Sequence, residues 1–195
     1  TIAGNLTVSG NTDLNGNLDV DGGTIKLDGN FPTGSGNVAL GDQALSGGSL
    51  SGANNIAIGQ QTLSANTSGQ SNVAIGRNAG ISNTTGIRNI FIGHSAGNYN
   101  TTADNNTGVG YNALNANTTG TGNTGIGYQS VFSTTTGTEN TALGHQSLRE
   151  NTTGVQNVVV GYEALETNTT ANANTALGYH ALKANTTTSN NTAVG

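Results

Sequence analysis

The stretch NTALGYHALKANTTTSN, residues 174–190, is followed at once by NTAVG, residues 191–195. Asn174, Leu177 and Gly178 thus return as Asn191, Val194 and Gly195, seventeen positions on. Working back along the chain, the same cassette starts at Asn37, Asn55, Asn72, Asn89, Asn106, Asn123, Asn140 and Asn157. The first interval is eighteen residues and every later one is seventeen. Each Asn has a Gly four residues after it, from Gly41 to Gly195, a coincidence expected by chance on the order of once in ten million. Composition alone therefore does not produce the pattern, and the chain reads as a solenoid of stacked coils.

Counting each Asn as position 1, position 4 is always Leu, Ile or Val, as in Leu40, Ile58, Val109 and Leu177. Position 2 is Val, Ile or Thr, and position 3 is mostly Ala or Gly. This alternation predicts a short strand with positions 2 and 4 on one face. Position 5 is Gly because the chain turns there or passes close to a neighbour. A second apolar point lies at positions 8 and 9, as in Ala113-Leu114 and Ala164-Leu165, with Gly80 and Gly97 as exceptions at position 9. A polar return of the Asn-Thr-Thr-Gly type follows, for example at Asn83, Asn117 and Asn151. The expectation is two short strands and two turns per coil. Parallel pairing at about 4.8 Å per coil gives nine coils a length of about 43 Å, and a column of Asn can hydrogen-bond to itself along the stack.

Composition agrees with an order built on backbone pairing. Only 32% of the 195 residues are hydrophobic, 8% are charged, and the aromatic supply is three Phe and five Tyr. A conventional globular core needs more apolar bulk, and a disordered tail normally carries more charge. The net charge of −5 leaves no basic patch for phosphates, so nucleic acid is not an expected partner. No apolar run is long enough for membrane insertion by a helix. With no Cys, disulfides and thiolate metal sites are excluded. The absence of Met and a start at Thr1 suggest a segment of a longer polypeptide.

Two regions follow. Residues 37–195 form an all-β parallel β-solenoid, or β-roll, of nine coils of 17–18 residues plus a partial tenth. Residues 1–36 differ: Gly4, Gly10, Gly16 and Gly22 recur every six residues, and FPTGSG around Pro32 marks a junction. Each coil offers about three aliphatic side chains, at about 1.5–3 kcal/mol each when buried, against about 1–2 kcal/mol for every residue ordered. One roll is therefore thin, and packing of several copies over the small-residue faces is expected to supply the missing burial, with a homotrimer as the expected state.

The cassettes NIAIG (55–59) and NVAIG (72–76) resemble the head repeats of trimeric autotransporter adhesins. The fuller form NTALGYHALKANTT, preceded by GNLTVSG hexads over residues 4–28, is similar to bacteriophage tail fibres and related bacterial fibre proteins. The coil here is longer than the adhesin repeat. The resemblance implies a left-handed parallel roll assembled as a trimer. It implies a rigid spacer in a phage tail fibre, located on the virion, with other tail proteins as partners and a role in attachment to the host surface. A bacterial cell-surface adhesin head is the alternative it leaves open.

Position 6 carries Tyr111, Tyr128, Tyr162 and Tyr179, with His94 and His145 in the same column. Such a column can contact sugars of a host cell-surface glycan, or its rings can simply stack on one another. Arg149, Glu166 and Lys183 occupy position 10 in successive coils and predict a charge ladder that tests the alignment. Paired threonines at positions 13 and 14, such as Thr84-Thr85 and Thr118-Thr119, raise a third function, an ice-binding solenoid. Asn66, Asn83, Asn100, Asn117, Asn151, Asn168 and Asn185 start glycosylation-type triplets that fit turn chemistry better. Glu150, Glu163 and Glu166 cluster as surface charge, Asp13, Asp19, Asp21 and Asp28 lack a Ca²⁺-loop pattern, and His94, His145 and His180 lie too far apart for one metal. No catalytic, cofactor or metal site is expected, and the chain is not expected to be an enzyme.

Overall fold

The computed structural model describes residues 35–47 and 51–195; the hexad region and the Pro32 junction lie outside these residues. Ten strands follow one another at the repeat interval: β1 (Val38–Leu40), β2 (Ile56–Ile58), β3 (Val73–Ile75), β4 (Ile90–Ile92), β5 (Thr107–Val109), β6 (Thr124–Ile126), β7 (Thr141–Leu143), β8 (Val158–Val160), β9 (Thr175–Leu177) and β10 (Thr192–Val194). They form a single parallel sheet in chain order, with each coil in register with the next, as in Ile58↔Ile75 and Val109↔Ile126. The chain is a parallel β-solenoid with coils of about seventeen residues.

Only positions 2–4 are extended, so the expectation of two strands per coil is corrected. The second apolar point lies in a turn whose alternate residues are left-handed. Position 7 has φ near +55°, as at Gln129 (50°) and Gln146 (54°), and position 9 repeats this at Leu114 (53°), Val131 (54°) and Leu165 (48°). Two left-handed residues in three cannot continue a strand. Backbone pairing between coils persists there nonetheless: the Leu114 N–H donates to the Ser130 carbonyl at 3.0 Å, and that of Gln129 to Tyr111 at 2.9 Å. Identical turns stacked at strand spacing supply each other's hydrogen bonds, which offsets the conformational cost of about 1–2 kcal/mol per left-handed residue.

The interior is narrow and is closed within one chain. Position 3 faces inward and is fully buried at Ala57, Ala74, Phe91, Ala142 and Val159. The side chains opposite are those of position 9, Leu63, Leu114, Val131, Leu148 and Leu165, also fully buried. The small residues are therefore inside, and the aliphatics of positions 2 and 4 point outward, the reverse of the face expected to need cover. A large residue at position 3 fills the space of position 9. Phe91 does so, and the two nearest position-9 residues are Gly80 and Gly97. A Cβ on Gly97 would collide with the Phe91 ring, and one on Gly80 would lie 2.9 Å from Leu63 and 3.1 Å from Phe91.

Two buried Asn columns hold the polar side of the interior. At position 1 the Asn Oδ1 accepts the backbone N–H of the next Asn, at 2.8–3.0 Å in every step from Asn37 to Asn191. The Asn-Thr-Thr return supplies the second column at position 12, where Asn83 donates to Asn66 at 3.1 Å and Asn100 to Asn83 at 2.8 Å. The columns meet at one carbonyl per coil, at position 15. The Gly69 carbonyl accepts from Asn55 (2.9 Å) and Asn66 (3.1 Å), and Gly86, Ala103, Gly120, Gly154 and Ala171 do the same. Both lone pairs of that oxygen are used.

Among the described residues the rule fails twice: near the end of the stack Asn185 donates to the Thr188 carbonyl at 2.9 Å and leaves the buried Asn168 Oδ1 without a partner, and a second break lies in the sixth coil. Position 12 of the sixth coil is Thr134, so Gly137 receives a bond only from Asn123 and the buried Asn117 Oδ1 has no partner. Thr134→Asn should restore both bonds and raise stability by about 1–2 kcal/mol, read as an increase in denaturation midpoint. Phe91→Ala should cost about 3–5 kcal/mol by leaving a void, and Gly97→Leu alone should also destabilise; the double variant should recover much of the loss in a double-mutant cycle.

Candidate functional site

Three outward columns run along the sheet: position 4, aliphatic in all ten strands; position 2, aliphatic or Thr; and position 6, which carries Asp42, Gln60 and Arg77 and then rings from His94 onward. Between them stands the Gly of position 5, with φ from 119° to 141°. A Cβ on Gly59 would lie 2.8 Å from the Gly76 carbonyl carbon, and one on Gly76 would lie 2.8 Å from that of Gly93. Glycine therefore lets coils approach at strand spacing where the chain leaves the sheet, and it aims position 6 along the surface.

The rings of position 6 form one continuous stack. His94, Tyr111, Tyr128, His145, Tyr162 and Tyr179 follow at centroid separations of 5.4, 5.4, 5.0, 4.9 and 5.5 Å, with planes within 14° of parallel. Those are offset-stacked distances. The faces of Tyr111, Tyr128 and Tyr162 are thus occupied by neighbouring rings, and their edges and hydroxyls are what solvent meets. Tyr179 is the most exposed at 67% and also lies 3.8 Å, centroid to centroid, from His180. Any glycan on this column would be held by phenol hydroxyls spaced one per coil, because face stacking on the inner rings is blocked.

The aliphatic columns are exposed in spite of their chemistry. Leu40, Ile90, Ile126, Leu143, Val158 and Leu177 are each more than a third exposed, and Ile58, Ile75, Ile92, Val109 and Val160 are half-buried. No charged side chain occurs in either column over all ten strands. At about 3.3 Å per residue and about 4.8 Å per strand, the face measures about 10 Å by about 43 Å. Position 4 is aliphatic along its whole length and position 2 is Val, Ile or uncharged Thr, and an exposed apolar strip of this kind marks a contact surface more often than a solvated one.

The charged ladder is where the spacing places it. Glu166 lies 3.6 Å from Arg149 and 3.3 Å from Lys183, which confirms the coil alignment. Sequence reasoning missed a member: Glu163, at position 7, pairs with Lys183 and, at 3.0 Å, with His180. The left-handed backbone at position 7 turns this side chain toward position 10, a direction that linear spacing does not reveal. The hydrogen bond from Lys183, followed by that from Tyr162, pulls the Glu163 carboxyl down to about 2 despite partial desolvation. The same bonds raise the Lys183 ammonium and the Tyr162 phenol above their ordinary values. Among the described residues, no group of three or more His, Asp or Glu is placed to hold a metal ion.

The threonine rows divide in two. At position 13 the hydroxyl donates to the carbonyl of the next coil's Thr, from Thr67 to Thr84 (3.1 Å) through Thr152 to Thr169 (2.9 Å). The position-14 residues Thr85, Thr119 and Thr153 are exposed, whereas the position-13 residues Thr84, Thr118 and Thr152 are half-buried. The paired flat row of an ice-binding surface is therefore reduced to a single column on a turn. Six of the seven triplet asparagines, all but Asn185, are completely buried and hydrogen-bonded, with no access for a glycan.

Comparison with protein-family models, curated proteins and solved structures finds no match. What stands on geometry is a β-solenoid repeat protein whose form is consistent with a structural or adhesive role.

Glu163 gives a pH test. Its folded value lies below the ordinary 4.5, so the stabilisation is complete above about 4.5 and is lost as pH falls through about 2. The stability gap between the wild-type chain and Glu163→Gln should therefore be constant above about 4.5 and close toward 2, as followed by thermal unfolding at stepped pH.

Proposed function

We propose that this chain is a rigid spacer segment of a homotrimeric fibre, in the manner of a phage tail fibre that carries a receptor-binding tip to a host surface. The observation that carries the reading is the uncovered aliphatic strip on an otherwise self-sufficient solenoid. Each chain already closes its own interior with Leu, Ala and Asn columns. A further uninterrupted row of Leu, Ile and Val on the outside has no role in a solitary roll. Several copies sharing an axis would remove that row from water and leave the polar turns outside.

Stiffness follows from the same architecture. Backbone hydrogen bonds run along the long axis at nearly every position, so bending the rod requires stretching many of them together. Attachment by such a segment is mechanical: it sets reach and orientation, and the position-6 hydroxyls of Tyr111, Tyr128, Tyr162 and Tyr179 offer at most an auxiliary glycan contact along the shaft. Residence on a virion and contact with other tail proteins belong to the same proposal, and they rest on the sequence resemblance.

Sedimentation equilibrium should give three times the chain mass, and electron micrographs should show straight rods. Leu143→Asp, in the middle of the strip, should weaken association by roughly a hundredfold or more while the far-ultraviolet spectrum stays unchanged, because an unpaired buried charge costs about 3–5 kcal/mol. Thr153→Asp, in the exposed threonine row, should leave the mass unaltered. A monomer at micromolar concentration for the unsubstituted chain would overturn the proposal.

A further inference from the structure

Of the two columns of the strip, position 2 is the one whose chemistry changes along the rod. It reads Val38, Ile56, Val73 and Ile90 through the fourth strand, then Thr107, Thr124 and Thr141, then Val158, then Thr175 and Thr192. Position 4, beside it, is aliphatic throughout. The strip therefore has an aliphatic end and a threonine-rich end, with Val158 as an isolated apolar mark in the second half. Because every residue in the column has the same strand backbone and none is buried, these differences do not arise from folding of the single coil.

We infer that the position-2 column is an orientation and register code, read by a second copy of this chain packed on the same strip. The inference rests on the homotrimer reading and adds to it which face is shared, in what direction and at what level. The occupant follows from periodicity. A globular partner could match this surface over one or two coils, whereas only another rod with the same coil spacing can match all ten. No charge in either column opposes the approach of an identical surface.

Direction follows from the order of residues. With copies parallel and level, Ile56 meets Ile56, Ile90 meets Ile90 and Thr124 meets Thr124, so aliphatic groups stay with aliphatic groups and hydroxyls with hydroxyls. With copies antiparallel, Val38 faces Thr192, Ile56 faces Thr175 and Ile90 faces Thr141. Each such pair sets a hydroxyl against an apolar group without a partner. Sliding parallel copies by one coil is penalised at the three steps where the column changes: Ile90 would lie against Thr107, Thr141 against Val158, and Val158 against Thr175. A repeat made of identical coils would have no such marks and would slip freely.

The chain has no Cys, so single-Cys variants report contacts without background. Ile56→Cys and Thr175→Cys lie seven strand steps apart, about 34 Å, beyond the reach of a short bismaleimide. Each variant alone should give a cross-linked dimer on a denaturing gel, approaching about two-thirds of the chains in a three-fold assembly with one open site. A mixture of the two, co-folded, should give no link between unlike chains, and Thr153→Cys should give none at all. Links only between Ile56→Cys and Thr175→Cys chains would overturn the parallel direction. A trimer by sedimentation in which neither variant cross-links would overturn the shared face while leaving the fibre reading intact. A monomer by sedimentation with no links would remove both. Should both substitutions disturb assembly, Thr124→Cys in the middle of the column gives the same reading of face and level, with absence of a link in an intact trimer counting against the inference.

Discussion

One carbonyl oxygen per coil, at position 15, is the point on which the remainder of the structure is hung. Two Asn side chains from different corners of the same coil converge on it, and each of those amides also belongs to a column running the length of the rod. A buried amide without partners would cost on the order of 1–3 kcal/mol, so the corner is favourable only when every coil repeats the same geometry. That condition makes the period strict. An extra residue inside a coil would move one Asn away from the shared oxygen and orphan groups in two neighbouring coils. The single longer interval, from Asn37 to Asn55, is itself the first coil of the described stack, so it has a neighbouring described coil on one side only.

Sequence alone revealed the coil, its length, the strand and the alignment of the charged ladder, because each of these depends on residues recurring at one spacing. It did not reveal which side of the strand faces inward. The usual rule puts larger apolar groups inside, and here it inverts: the space between the strand and position 9 accepts Ala or Gly in most coils, so the small residue is the inner one and Ile or Leu is left outside. The second Asn column was hidden for another reason. An Asn-Thr-Thr-Gly run is ordinary turn chemistry when read locally, and its burial depends on a partner in the neighbouring coil. The left-handed Leu and Val residues at position 9 were beyond reach too, since those side chains disfavour that conformation in isolation and adopt it only where stacked turns exchange hydrogen bonds.

The Phe91 coil shows how far apart compensating residues can stand. Phe91 replaces the usual Ala, and the residues that yield are Gly80, in the preceding coil, and Gly97, eleven and six positions away respectively. Read along the chain, two Gly residues in place of Leu look like a local weakening of the second apolar point. Read across the stack, the ring occupies the volume that two Leu side chains would have filled, and the packing density of the interior is kept. In a solenoid the unit of packing is the contact between adjacent coils, and a departure in one coil is explained by the coils on either side.

Columns are also what link this fold to a task. Any side chain repeated at the coil spacing must stack on itself, so the position-6 rings lose their faces to one another and the position-13 hydroxyls lose their donors to the next carbonyl. These columns are consumed in making the rod. The strip at positions 2 and 4 differs, because aliphatic groups in a column still present most of their outer surface to water however well they stack. Burial of that surface requires something placed over it from outside, and the strip's length exceeds what a local contact with a compact partner would cover. The stack pairs most of its buried polar groups along its own axis yet leaves an apolar line uncovered on one side, and the proposed self-association rests on that asymmetry.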